Sequence, residues 1–186
     1  MSVFAPLKKI LPWTMMSLCI AQISLAEAKD EQPIDKQLLC MAKNIYYEAG
    51  LESYDGKVAV AQVTINRTED GKFPKTVCGV VNQKTKVIAV KENKPVTKTV
   101  CQFSWVCNPP APIRYVSDRW EESVFIATEV MYNGLRLPAE KMADALYFHN
   151  TTVRPNWGLE RVAKIGNHIF YNNNQAPGKG KVQSAL

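Results

Sequence analysis

Asn44-Ile45-Tyr46-Tyr47-Glu48-Ala49-Gly50 is an apolar run with one carboxylate set into it and a glycine at its end. Upstream, Asp35 can cap a helix over about Lys36 to Ala49. Leu38, Met41, Ala42 and Ile45 recur at the spacing of one helix face. Gly50 is a natural stop, so Glu48 falls in the last turn, flanked by aromatic rings. Desolvation disfavours a carboxylate and raises its pKa. The helix dipole disfavours a negative charge at a C-terminus as well. Both effects favour the protonated form that a general acid needs near neutral pH. The competing reading of the same seven residues is a solvated acid near a helix end.

The chain of 186 residues is long enough for one domain with a real core. Lys and Arg number 23 against 17 Asp and Glu, a balance of +6. That charge suits an anionic polymer: nucleic acid, anionic lipid or bacterial wall. No long basic run is interleaved with aromatics, so no nucleic acid partner is expected. Lys8 and Lys9 precede an uncharged stretch from Ile10 to Ala26. Ser24-Leu25-Ala26 and Ala26-Glu27-Ala28 fit the small-x-small cleavage pattern. Residues 1–26 therefore read as a signal peptide, and 27–34 as a short linker. Pro12 and Gln22 interrupt the apolar stretch, so no stable membrane span is expected after cleavage. An uncleaved anchor is the alternative. Cleavage would leave +4 and a periplasmic or secreted protein.

It would also remove Cys19 and leave Cys40, Cys78, Cys101 and Cys107. An even count in an exported chain reads as two disulfides. Three connectivities are open; one pairs Cys101 with Cys107 and Cys40 with Cys78. A metal site would have to draw on these scattered cysteines and on His149 and His168, so neither a metal nor a cofactor is expected.

Ser53 can cap a second helix with Val58, Ala59, Ala61, Gln62 and Ile65 along one side, ending near Asn66-Arg67-Thr68. Gly56, Ala59 and Ala61 would let another helix approach. Pro74 opens a short helical piece from Lys75 to Val81. Residues 82–100 read as an exposed, lysine-rich excursion with Val87 to Val90 as a strand or hairpin arm. Cys101 to Cys107 reads as a pinned extended segment. Asp118-x-x-Glu121 makes a capping box for a helix over about 118–133, with Trp120, Val124, Ala127 and Met131 as its stripe. Ala145 to Asn150 and Val162 to Tyr171 look like strands, joined by a loop carrying Trp157. From Asn172 to Leu186 the composition is that of a disordered tail.

Gln102 to Trp105, Tyr147 to Asn150 and Asn156-Trp157 place aromatic faces beside amides. That mixture suits a carbohydrate, whose C–H faces stack and whose hydroxyls hydrogen-bond. Half-buried core with satisfied polar tips is the other reading. Cys–His catalysis conflicts with cysteine pairing, a serine triad lacks its G-x-S-x-G elbow, and H-E-x-x-H is absent.

Several blocks, in order, resemble the bacterial cell wall hydrolases of the SleB/CwlJ, spore-cortex-lytic type. They are Leu39 to Ala42, Ile45 to Ala49, Gly56 to Val63 with Asn66-Arg67, Phe73-Pro74 with Val77 to Val81, Cys101 to Trp105, and Ile165 to Tyr171. The resemblance spans about 38–171 and leaves Lys84 to Thr99 unmatched. It implies an α+β fold over 35–171: a lysozyme-like helical lobe, a small β lobe and a glycan cleft between them. It implies a peptidoglycan substrate, cut between N-acetylmuramic acid and N-acetylglucosamine, with Glu48 as the acid. On this reading Gln102 and Ser104 would hydrogen-bond the glycan, and Tyr47, Trp105, Tyr147 and Trp157 would stack on it. A monomer is expected. No carboxylate partner for Glu48 emerges from spacing; Glu52, Asp55, Glu69 and Asp70 read as surface charges or caps. One acid acting alone fits lytic transglycosylation. Hydrolysis by a muramidase and a non-catalytic wall-binding module are the alternatives.

Overall fold

A computed structural model describes residues 35–92 and 94–175. The expected signal peptide and linker, and residues 176–186 of the expected tail, lie outside the described residues.

Helix α1, Lys36–Ala49, starts as read: Asp35 Oδ2 accepts from the Leu38 amide at 3.3 Å. Met41, Ala42 and Ile45 are fully buried. Gly50, however, has right-handed φ of −60°, so left-handed freedom is not its role. A Cβ there would stand 2.7 Å from Arg119 Cδ and against the Tyr46 carbonyl. The glycine is required by close approach.

Helix α2, Tyr54–Glu69, is capped by Ser53, whose Oγ accepts from the Gly56 amide at 3.4 Å. Its expected apolar face is in fact a whole circumference: Gly56 through Thr64 are all buried. Small side chains let neighbours approach from every side, which makes α2 the central rod. Helix α3, Val77–Val81, begins later than expected because Thr76 Oγ1 caps it through the Gly79 amide at 3.1 Å. A disulfide between Cys40 and Cys78 ties α3 to α1, and a second joins Cys101 to Cys107.

Strands β1, Lys84–Lys91, and β2, Lys94–Cys101, form the lysine-rich hairpin. The Cys101–Cys107 segment is not extended as expected. Ser104–Cys107 forms a helical turn, α4, closed by the Asn108 amide on the Ser104 carbonyl at 2.9 Å. Helix α5, Asp118–Tyr132, is capped one residue before the expected capping box. Ser117 Oγ accepts from the Trp120 amide at 3.4 Å. Its buried stripe runs through Trp120, Ser123, Ile126, Ala127 and Val130, with Val124 and Met131 only half-buried.

A short helix α6, Ala139–Met142, leads to three antiparallel strands: β3, Tyr147–Asn150; β4, Leu159–Ile165; and β5, His168–Gln175, in the order β3-β5-β4. The stretch read as a single strand over Val162–Tyr171 is thus a hairpin that turns at Gly166, where φ is +55°. Strand β5 also runs four residues into the expected disordered tail. Asn172 is buried there, its Nδ2 donating to Asp144 Oδ2 at 3.0 Å and Glu160 Oε2 at 2.9 Å. Polar composition misled because the Asn172 and Asn174 amides find carboxylate partners from elsewhere in the chain.

Candidate active site

Glu48 lies half-buried in the last turn of α1. Arg67, in the last turn of α2, is 2% exposed. Its Nε donates to the Leu146 carbonyl at 2.7 Å. The guanidinium carbon lies 5.3 Å from the ring centres of both Phe73 and Phe103, and 6.0 Å from that of Tyr147. With the Gln102 amide oxygen turned towards it, that oxygen accepts from both terminal nitrogens, at 3.2 and 3.3 Å. Arg67 therefore gathers a carbonyl, an amide and three rings around one buried charge.

That charge acts on Glu48 without an ion pair; Lys57–Glu122 is the one salt bridge among the described residues. Burial pushes the Glu48 carboxyl up from its ordinary 4.5 to about 7, while Arg67 pulls the other way. Desolvation wins because burial leaves the carboxylate poorly hydrated. Burial lowers Arg67 to about 10, opposed by Tyr147 and Glu48, so it stays charged at neutral pH.

Tyr47 stacks on Trp105 with ring centres 4.8 Å apart. Trp105 Nε1 donates to Asn44 Oδ1 at 3.1 Å, and Asn44 Nδ2 donates to Thr64 Oγ1 at 3.2 Å. On the three-stranded sheet, Tyr147 lies 6.3 Å from Trp157, which sets its edge against His149 and Tyr171 at 5.4 and 5.6 Å. His149 Nε2 and Tyr171 Oη are 2.9 Å apart. His168 is buried against Phe148, and burial holds its imidazole below the usual range.

Of the residues singled out in the sequence, Tyr47, which precedes Glu48 in the chain, forms one aromatic pair with Trp105. Gln102 and Tyr147 meet through Arg67, and Trp157 joins through Tyr147. Ser104 is exposed at the start of α4. Sequence reading gave no role to Arg67 or Asn44, although both are polar residues at positions facing the core. Two of the other carboxylates weighed earlier, Glu52 and Asp70, are engaged elsewhere. Glu52 accepts from the Asn167 amide at 3.0 Å and from its Nδ2 at 3.1 Å, and Asp70 Oδ1 accepts from the Lys72 amide at 2.8 Å. Among the described residues, no group of three or more His, Cys, Asp or Glu is placed to hold a metal ion. A groove of about 580 Å³ abuts Tyr47, walled by Tyr46, Pro110 to Pro112, Arg114 and Ser117 to Arg119.

Residues 51–171 match the family described as Cell Wall Hydrolase, starting just beyond Glu48. The chain belongs to the cell wall hydrolase family. Among curated relatives of this family member, the spore cortex-lytic enzyme of Oceanobacillus iheyensis is 31% identical over 133 residues, covering 70% of this chain and 39% of that protein. The spore cortex-lytic enzyme of Bacillus subtilis strain 168 shows the same identity, over 70% of this chain and 35% of its own length. The chain thus spans less than two fifths of the length of these relatives. Among solved structures, the catalytic domain of the germination-specific lytic transglycosylase SleB from Bacillus anthracis aligns at a TM-score of 0.51. It is 27% identical, covering 76% of this chain and 98% of that one. The α+β, lysozyme-like fold is shared with that domain.

Proposed function

We propose that this chain cleaves peptidoglycan at the bond from N-acetylmuramic acid to N-acetylglucosamine, as a lytic transglycosylase with Glu48 as its single acid and base. The observation that carries this reading is a half-buried carboxyl at about pKa 7 in the last turn of α1, with Arg67 as the charge acting on it. Glu48 donates its proton to the glycosidic oxygen, and the N-acetylglucosamine side departs. The acetamido oxygen of the muramic residue stabilises the developing positive charge at C1. The Glu48 carboxylate then takes the proton of the muramic 6-hydroxyl as O6 bonds to C1, closing a 1,6-anhydro ring and restoring the acid. The description of the Bacillus anthracis relative as a lytic transglycosylase supports this route. The engagement of Glu52 by Asn167 supports the use of one carboxylate.

Tyr47 with Trp105 and Tyr147 with Trp157 supply stacking faces on either side, and Gln102 and Ser104 supply polar contacts. The 35–171 region is the catalytic domain in this reading, and the protein acts as a monomer outside the cytoplasm. Lys8-Lys9 with the uncharged stretch after them, and two disulfides that suit an oxidising compartment, support export.

The test is Glu48→Gln, which keeps the shape and removes the proton donor. Clearing of a wall suspension should fall by a factor of about 100 to 10,000. A Glu48→Gln protein that clears at the wild-type rate sinks the assignment. Mass spectrometry of wild-type digests should find anhydro-muropeptides; reducing ends alone would instead make the enzyme a hydrolytic muramidase.

A further inference from the structure

The groove walled by Tyr46 and Tyr47 has an assignment of its own. We infer that it binds the carboxylates of the peptide stem carried by muramic acid, through Arg114 and Arg119. This rests on the peptidoglycan reading above and extends it from the glycan to what the glycan bears.

The groove is lined by Tyr47, which stacks on Trp105 in the aromatic pair assigned to the glycan above. A glycan resting on that pair would bring a substituent of its muramic residue over this groove.

Arg114 and Arg119 are both exposed, and neither is in a salt bridge among the described residues. Asp118 is the one acid on the groove wall, set against two guanidinium groups. Uncharged N-acetylated sugars give such a pair nothing to neutralise. A stem peptide presents free carboxylates, and the planar guanidinium fork binds a carboxylate through two parallel hydrogen bonds.

The Arg119 side chain and the backbone that carries Arg114 are also held in position. The Arg119 guanidinium lies 5.3 Å from the Tyr46 ring centre, and its stem passes over Gly50, where any side chain would displace it. The Arg114 carbonyl accepts from Ser117 Oγ at 2.6 Å and from the Ser117 amide at 3.1 Å, which closes the turn that carries it. The opposite wall is pinned by Tyr47 Oη donating to the Ala111 carbonyl at 3.5 Å. A cation fixed as Arg119 is loses less entropy on binding an anion than a mobile one does.

The experiment compares solubilised peptidoglycan strands with the same strands after carbodiimide coupling to methylamine, which converts the carboxylates to neutral amides. Wild-type kcat/KM should drop about tenfold or more on the amidated strands, mainly through KM. Arg114→Gln, an exposed residue outside the core, should lose the same factor on native strands and show no further loss on amidated ones. Arg119→Gln should behave alike, and Arg114→Lys should restore part of the preference. Equal wild-type activity on both substrates, or an Arg114→Gln loss of equal size on both, overturns the inference while leaving the peptidoglycan reading standing. Cleavage of neither substrate by the wild type overturns both.

Discussion

At the scale of single residues, Glu48 and Arg67 set each other's chemistry. Burial lifts the Glu48 carboxyl to about 7, and Arg67 limits the rise. Activity that needs the protonated acid should therefore fall as pH rises through 7. Arg67→Gln removes the opposing charge, so the alkaline limb of the kcat/KM profile should move to higher pH. An unmoved limb, with only a lower plateau, would mean that Arg67 acts through packing alone. Stability carries the opposite sign to that of a typical salt-bridged acid. The folded Glu48 holds a proton that the unfolded chain releases between 4.5 and 7, so its contribution is complete below 4.5 and is lost as pH rises to 7. Urea unfolding at pH 5 and pH 8 should show the wild type losing about 1–3 kcal/mol relative to Glu48→Gln over that interval. The desolvation of Glu48 was legible because it sits in an apolar heptapeptide at the end of a helix. Arg67 was not, because Phe73, Phe103, Gln102 and Leu146 reach it only after folding.

At the scale of elements, the β4–β5 hairpin is locked by one glycine and one carboxylate. Gly166 takes a left-handed φ of +55°, and a Cβ there would collide with the Glu52 carboxylate that holds Asn167. Gly166→Ala should cost about 1–3 kcal/mol. Hydrogen exchange should show β4 and β5 losing protection while α2 keeps it; an unchanged pattern with unchanged stability would refute the strain. Ile165-Gly166-Asn167-His168 carried a Gly-Asn turn signal that was legible in principle. The apolar residues on both sides hid it. Helix α4 was hidden for another reason: polar-aromatic alternation over seven residues suits a strand, but the Cys101–Cys107 bridge is met by a closed helical turn.

At the scale of the whole molecule, the two disulfides should contribute unequally. Cys40–Cys78 spans 38 positions and Cys101–Cys107 spans 6. Loop-closure entropy then gives about 4 and about 2 kcal/mol respectively. Replacing both Cys40 and Cys78 with Ser should lower Tm by about 8–16 °C, and the Cys101/Cys107 pair by about half of that. Activity should rank the other way, since Cys101–Cys107 brackets Gln102 and Trp105. Calorimetry beside a wall-clearing assay checks both orders, and equal Tm losses would contradict the entropic account.

What the sequence determined by itself was local. Helix α1 with its Asp35 cap, the start of α2 at Ser53, the burial of Met41 and Ile45, and a half-desolvated acid before Gly50 all follow from neighbours a few positions away. The ordered motif blocks added the fold class, which matches the family. Tertiary structure decided what depends on distant partners. It buried α2 on every side, chose one disulfide pairing among three, and carried β5 into polar sequence by pairing Asn172 with Asp144 and Glu160. It also set Arg67 beside Glu48. Hydrogen bonds and desolvation act through space, and contacts closed over nearly eighty residues, such as Arg67 on Leu146, leave no periodicity to read.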